Sequence, residues 1–214
     1  MSNLFKKAAV FTDIHFGLKS NSQTHNDDCL DFVKWATATA KEQGCETCLF
    51  LGDWHNNRAS LNIVTLSYSL RALEHMNDNF EHVYFIPGNH DLYYRDKRDI
   101  QSVEWAKHLP RVQICNDWFS DGDVVIAPWL CGDDHKRIPK LKGRYMFGHF
   151  ELPGYYMNAM VQMPDMAPYS VETLAALIMC LPDTFTSVKL PTTSPISATV
   201  FHTTMPTLVM MNVA

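Results

Sequence analysis

His82-Val83-Tyr84-Phe85-Ile86-Pro87-Gly88-Asn89-His90-Asp91 is an apolar run that stops at a proline and a glycine, then presents an amide, an imidazole and a carboxylate in succession. A short apolar run bounded by turn residues reads as a buried strand. Glycine directly before the polar groups lets the chain turn sharply and approach closely. The same arrangement recurs along the chain. Lys7–Thr12 ends at Asp13-Ile14-His15, Cys48–Leu51 at Gly52-Asp53, and Tyr145–Phe147 at Gly148-His149. Between these runs, Asp27–Gln43 carries Leu30, Val33, Ala36 and Ala40 with Gly44 as a stop, and Leu61–Met76 carries Leu66, Leu70 and Leu73 on one face. Both read as helices. Ile100–Leu109 reads as a shorter helix, and Val112–Cys115 and Val124–Ala127 as further strands. The alternation predicts an α/β fold: a mixed, largely parallel central sheet flanked by helices.

In open α/β sheets the carboxyl ends of the strands converge on one crevice. Asp13, His15, Asp53, Asn89 and His149, far apart in sequence, are therefore expected to meet. Carboxylate, imidazole and amide oxygen together suit a divalent ion such as Mn²⁺, Fe²⁺ or Zn²⁺.

Composition narrows the function classes. The 214 residues are 46% hydrophobic and 19% charged, enough for a sizeable core. The net charge of −5 excludes the strongly basic footprint of a protein that coats nucleic acid. It leaves open an enzyme acting on phosphodiesters, where bound metals supply local positive charge. No apolar run approaches the ~20 residues of a membrane span, and the N-terminal lysines lead directly into a strand. A soluble, cytoplasmic protein with no membrane partner is expected. Six cysteines read as reduced thiols. Cys45-Glu46-Thr47-Cys48 precedes a strand, whereas the redox C-x-x-C opens a helix, so it reads as two structural thiols.

The ordered set D-x-H, G-D, G-N-H-D and G-H, each behind a strand, resembles the calcineurin-like metallophosphoesterases. Gly88-Asn89-His90-Asp91-Leu92-Tyr93-Tyr94, Ile126-Ala127-Pro128-Trp129-Leu130-Cys131 and the segment from Gly148 to Tyr155 are more closely similar to the nuclease subunit of SbcCD-type and T-even phage recombination endonucleases. This resemblance implies a metallophosphoesterase domain over residues 1–174. Asp13 and His15 would ligate a first metal, Asp53 would bridge two ions, and Asn89 and His149 would hold the second, with Mn²⁺ expected at both. A metal-bound hydroxide would attack phosphorus in line, while His90 orients the phosphate and protonates the leaving oxygen. Asp91 would orient His90. DNA is the implied substrate and an SbcC-like ATPase the implied partner, in a homodimeric assembly and in the host cytoplasm if the protein is phage-encoded. Arg58 lies on a loop with His55 that should rim the site, and Arg95 leads a basic run with Lys97 and Arg98. Both arginines are candidates for contact with substrate phosphates, a solvated surface role being the alternative for each. Phosphoesterase action on small nucleotides or phosphoproteins, or a catalytically incomplete partner-binding subunit, are the competing functions.

One family element is absent. The resemblance requires a closing G-H-x-H after His149, but the only later histidine is His202, in Val200-Phe201-His202-Thr203. Composition also breaks near Leu174: Asp183 and Lys189 are the only charged side chains in residues 175–214, a stretch rich in threonine, proline and methionine. Synonymous codons for Leu181-Pro182-Asp183-Thr184-Phe185-Thr186, read from each codon's third base, permit Thr-Gly-His-Phe-His. Residues 175–214 thus read as an atypical tail, out of frame with the end of the fold, and a divergent C-terminus is the alternative. Without the two imidazoles the second ion is expected to be weak or absent.

Overall fold

The computed structural model describes residues 4–143 and 145–150, the strands at 156–158, 161–162 and 181–182, and residues 208–212. His202, and the sequence context of the expected closing motif beyond Pro182, lie outside the described residues.

The first half alternates as expected. Strand β1 (Lys7–Phe11) leads through a single turn α1 (Leu18–Asn21) into helix α2 (Gln23–Glu42), then β2 (Thr47–Phe50), helix α3 (Ile63–Asn79) and β3 (His82–Phe85). Each long helix starts on a capping side chain. The Ser22 hydroxyl accepts from the His25 N–H, and Asn62 Oδ1 accepts from the N–H of Val64 at 2.9 Å and of Thr65 at 3.4 Å. These caps satisfy donors that the first turn leaves open. A 3₁₀ helix at Glu104–His108 replaces the expected longer helix over Ile100–Leu109, and leads to β4 (Val112–Ile114). The preceding residues instead close a loop: the N–H of Tyr93 donates to the Ile100 carbonyl and that of Ser102 to the Asp91 carbonyl. Strands β5 (Phe119–Asp121), β6 (Val124–Ile126), β7 (Tyr145–Phe147) and β8 (His149–Phe150) follow, then β9 (Tyr156–Asn158), β10 (Val161–Gln162), β11 (Leu181–Pro182) and β12 (Val209–Asn212).

The main sheet has the order β12-β1-β2-β3-β4, with β1 to β4 parallel and β12 antiparallel to β1. A second sheet, β5-β6-β7, mixes antiparallel and parallel pairing. Two shorter pairs complete the described strands: β8 with β11 in parallel, and β9 with β10.

Side-chain alternation assigns the layers. Ala9, Phe11, Cys48, Phe50, Val83 and Phe85 pack with Leu30, Val33, Ala36 and Ala40 of α2 and with Ala72, Leu73 and Met76 of α3. Their neighbours Ala8, Val10, Leu49 and Tyr84 face the other way, against Val124, Ile126, Tyr145 and Phe147 of the second sheet. The central strands are therefore buried on both faces, which is why they read as continuous apolar runs. The carboxyl ends of β1, β2 and β3, and the β7–β8 junction, carry the candidate ligands.

Candidate metal centre

The strand-end loops are zipped together by their backbones. Beyond β1 and β2, the N–H of Leu51 donates to the Phe11 carbonyl, Asp13 to Gly52, His15 to Asp53 and Phe16 to Trp54, at 2.8–3.0 Å. Keeping this pairing while turning the side chains inward puts Asp13, His15 and Asp53 in the left-handed region, at φ 60°, 52° and 59°. Each such non-glycine residue costs on the order of 1–3 kcal/mol, and strain of this kind concentrates at functional sites. Of the six described non-glycine residues in that region, three are these expected ligands and the other three, Lys19, Ser20 and Asn21, belong to the turn α1.

The glycines explain themselves by contact. A Cβ on Gly52 would lie 2.5 Å from His149 Nδ1, and one on Gly88 would lie 2.2 Å from Asp53 Oδ1. At Gly148 it would meet the Phe150 ring at 2.3 Å. The G-D and G-N-H-D motifs thus need glycine because their loops press against one another and against His149, and G-H needs it to clear the Phe150 ring.

Asp53 stands at the centre, 1% exposed. Its Oδ2 lies 3.7 Å from His15 Nε2 and its Oδ1 lies 3.7 Å from His149 Nε2, so the two carboxylate oxygens face different histidines. Asp13 Oδ1 is 3.5 Å from His15 Nε2. His149, also 1% exposed, has Nδ1 2.7 Å from the Leu51 carbonyl and Nε2 3.2 Å from Asn89 Oδ1. Nδ1 must carry the proton in the first contact, because a carbonyl only accepts. Nε2, the other ring nitrogen, faces an amide oxygen and a carboxylate oxygen. A ligand histidine typically donates its second N–H to a backbone carbonyl in this way, leaving Nε2 for a cation. The residues fit a divalent metal. Donor atoms of His15, Asp53 and His90 also lie within 4.8 Å of one another.

All five expected ligands therefore gather at one place. His90 joins them more closely than a purely catalytic position suggested, its ring edge-on to that of His15 with centroids 5.2 Å apart. Its backbone N–H donates to Asp53 Oδ1 at 2.9 Å, and its Nδ1 is 2.8 Å from the Asn56 carbonyl.

Asp91 does not take the expected place behind the His90 ring. Its buried carboxylate accepts from the backbone N–H groups of Gly88, Trp54 and His55 at 2.9–3.1 Å. It ties the G-N-H-D loop to the G-D loop, and the Asn56 carbonyl holds the His90 ring instead. His55 also departs from expectation. It lies under the site, fully buried, with Nδ1 2.7 Å from Ser102 Oγ and Nε2 2.8 Å from Ser69 Oγ. Burial pushes its pKa down to about 4, opposed by the Asp91 charge.

Arg58 is half-buried and Arg95 exposed on the loops that leave the site. Arg98 turns away from solvent to pair with Asp134 and to donate to the Trp129 carbonyl at 2.7 Å, so it is committed to the fold. Asn56, Ser69, Ser102 and Trp129 complete the site without having been singled out for it. Asn56 acts through a carbonyl that any residue offers, and the serines come from distant elements. Trp129, read as packing, sits 5.5 Å from the His149 ring and donates its indole N–H to the Arg95 carbonyl. Cys45 and Cys48 are buried, free and pushed up in pKa by that burial, as structural thiols are.

The chain matches the family described as Calcineurin-like phosphoesterase over residues 6–161. It is 24% identical over 170 residues to Exonuclease subunit 1 of Enterobacteria phage T4, an alignment covering 75% of this chain and 50% of the phage protein. The chain thus spans about half the length of that relative. Among solved structures it is similar to the Pseudomonas putida nuclease MPE, at 17% identity and a TM-score of 0.44, covering 73% of this chain and 67% of that one. No helix among the described residues is long and apolar enough to cross a membrane.

Proposed function

The chain belongs to the calcineurin-like phosphoesterase family, and on that premise we propose that it hydrolyses phosphodiester bonds in DNA as the nuclease subunit of a recombination complex with an SbcC-like ATPase. The observation that carries the hydrolytic part is the buried carboxylate of Asp53 facing His15 with one oxygen and His149 with the other. The DNA part rests on the likeness to a phage protein named an exonuclease subunit. Partnership with an ATPase and assembly as a homodimer belong to the same reading.

His15, Asp13 and Asp53 would hold one divalent ion, and Asp53, Asn89 and His149 a second, with Mn²⁺ the expected metal. Such ions neutralise charge on the phosphate and supply a nucleophile from water at neutral pH. The remaining work falls to the chain. With its Nδ1 proton committed to the Asn56 carbonyl, His90 can carry a second proton on Nε2 and deliver it to the departing oxygen. Asp91, Ser69 and Ser102 keep the two loops in register, so that His90 and Asp53 keep their spacing. Residues 150–214 hold no G-H-x-H, so within this sequence the second ion would rest on Asp53, Asn89 and His149.

Purified protein with added Mn²⁺ should hydrolyse bis(p-nitrophenyl) phosphate slowly and shorten linear DNA, and EDTA should stop both. Hydrolysis of the aryl ester without attack on single-stranded or duplex DNA would move the substrate to small phosphodiesters. No hydrolysis of either by a folded, metal-loaded chain would favour the catalytically incomplete subunit, a reading that the absent closing motif supports.

A further inference from the structure

Immediately after His90-Asp91, the chain exposes two aromatic rings. Tyr93 is 47% and Tyr94 43% exposed, with ring centroids 4.8 Å apart and planes at 87°. Two adjacent exposed aromatic rings thus offer apolar faces to solvent beside the candidate metal centre. The loop that carries them is held in shape. Leu92 is fully buried and bridges to Gln101, and the Tyr93 N–H donates to the Ile100 carbonyl at 3.0 Å. The Arg95 carbonyl accepts the indole N–H of Trp129, whose ring lies against His149, and Arg98 is pinned by Asp134. The backbone that carries the two rings is thus anchored beside the candidate metal centre. Three residues of chain keep the Tyr93 Cα within about 11 Å of the His90 Cα. Lys97 extends over the Tyr94 ring, 5.6 Å from its centroid, and Arg95 is exposed beside it.

We propose that Tyr93 and Tyr94, whose planes stand at right angles, each offer a ring face to one unpaired base of single-stranded nucleic acid, the strand turning between them, with Arg95 and Lys97 contacting the adjoining phosphates. The inference deepens the phosphodiesterase reading and rests on it for the direction in which the strand leads. Aromatic faces with interleaved cations bind single strands without reading sequence, because every base offers a π-face. Loss of one such ring typically weakens binding several-fold to a hundredfold. A chain of net charge −5 has little general attraction for nucleic acid, so a local platform of this kind would set where the strand lies.

The test is binding in EDTA, which prevents cleavage. Fluorescence anisotropy compares an oligothymidylate with an abasic strand of equal length at one salt concentration, since phosphate contacts alone are salt-dependent and base-blind. Wild type should prefer the oligothymidylate by at least about tenfold. Tyr93→Ala with Tyr94→Ala should abolish that preference, whereas Tyr93→Phe with Tyr94→Phe, which keeps both ring faces, should retain it. Equal binding of the two strands by wild type, or a preference surviving in the alanine variant, would overturn the proposal. The phosphodiesterase reading stands or falls separately, on Mn²⁺-dependent hydrolysis of bis(p-nitrophenyl) phosphate by wild type.

Discussion

Gly88 shows how tightly single residues are specified. A methyl group there would come within 2.2 Å of Asp53 Oδ1 and 2.4 Å of the Asp53 backbone nitrogen. Gly88→Ala should therefore displace the central carboxylate and cut Mn²⁺ affinity at least tenfold in a chain that still gives a folded circular dichroism spectrum; unchanged affinity would contradict the packing. His55 makes a different demand, on pH. Its pKa falls from the ordinary 6.5 to about 4 because burial disfavours the cation. The unfolded chain then binds the extra proton first as pH drops. The contribution of neutral His55 is complete above pH 6.5 and is lost progressively from there down to about 4. At pH 5 this one residue should cost about 2 kcal/mol. Urea midpoints of metal-free wild type should fall between pH 7 and 5 more steeply than those of His55→Gln, and parallel slopes would refute it. The two kinds of residue differ in legibility. Asp13, His15, Asp53, Asn89 and His149 stand at strand ends, and the strand and its stop are local signals. The burial of His55 is set by Ser69 and Ser102, 14 and 47 positions away, and nothing near His55 announces them. Asp91 was legible as important but not in its role, because its partners are backbone N–H groups.

At the scale of elements, apolar runs gave β1, β2 and β3 to within a residue or two, since burial on both faces leaves a continuous signal. Helix α2 begins earlier than its apolar spacing suggests, because Ser22 and not the first leucine sets the start. The segment over Ile100–Leu109 misled for a related reason: its first residues pair back onto Tyr93 and Asp91, and only Glu104–His108 is left to coil. Strand β12 had no legible pattern, and its partner explains its place. The exposed side of a parallel edge strand carries unpaired backbone groups and invites aggregation. Val209–Asn212 pairs along β1 from Lys7 to Val10 and buries Met211. Covering that edge requires only an extended, apolar segment, whatever reading frame supplies it. Deleting residues 208–214 should lower stability by about 2 kcal/mol, the order of one buried methionine, and raise light scattering at high concentration. An unaltered unfolding midpoint would show that β1 does not depend on this strand.

Across the whole molecule, two sheets and a pair of helices exist to bring four loops to one point. The helices pack one face of the main sheet and β6 and β7 pack the other, so the strand ends are held from both sides and can tolerate positive φ at Asp13, His15 and Asp53. This convergence could be anticipated, because parallel strands put their carboxyl ends together. The second layer could not, since β5 and β6 form a short hairpin whose pairing with β7 spans a long connection. The most direct measurement is calorimetric titration of Mn²⁺ into the metal-free chain and into Asp53→Asn. Saturable uptake of at least one ion per chain is expected for wild type and none for the variant. A folded wild-type chain that takes up no Mn²⁺, or a variant that binds as well as wild type, would contradict a metal centre built around Asp53.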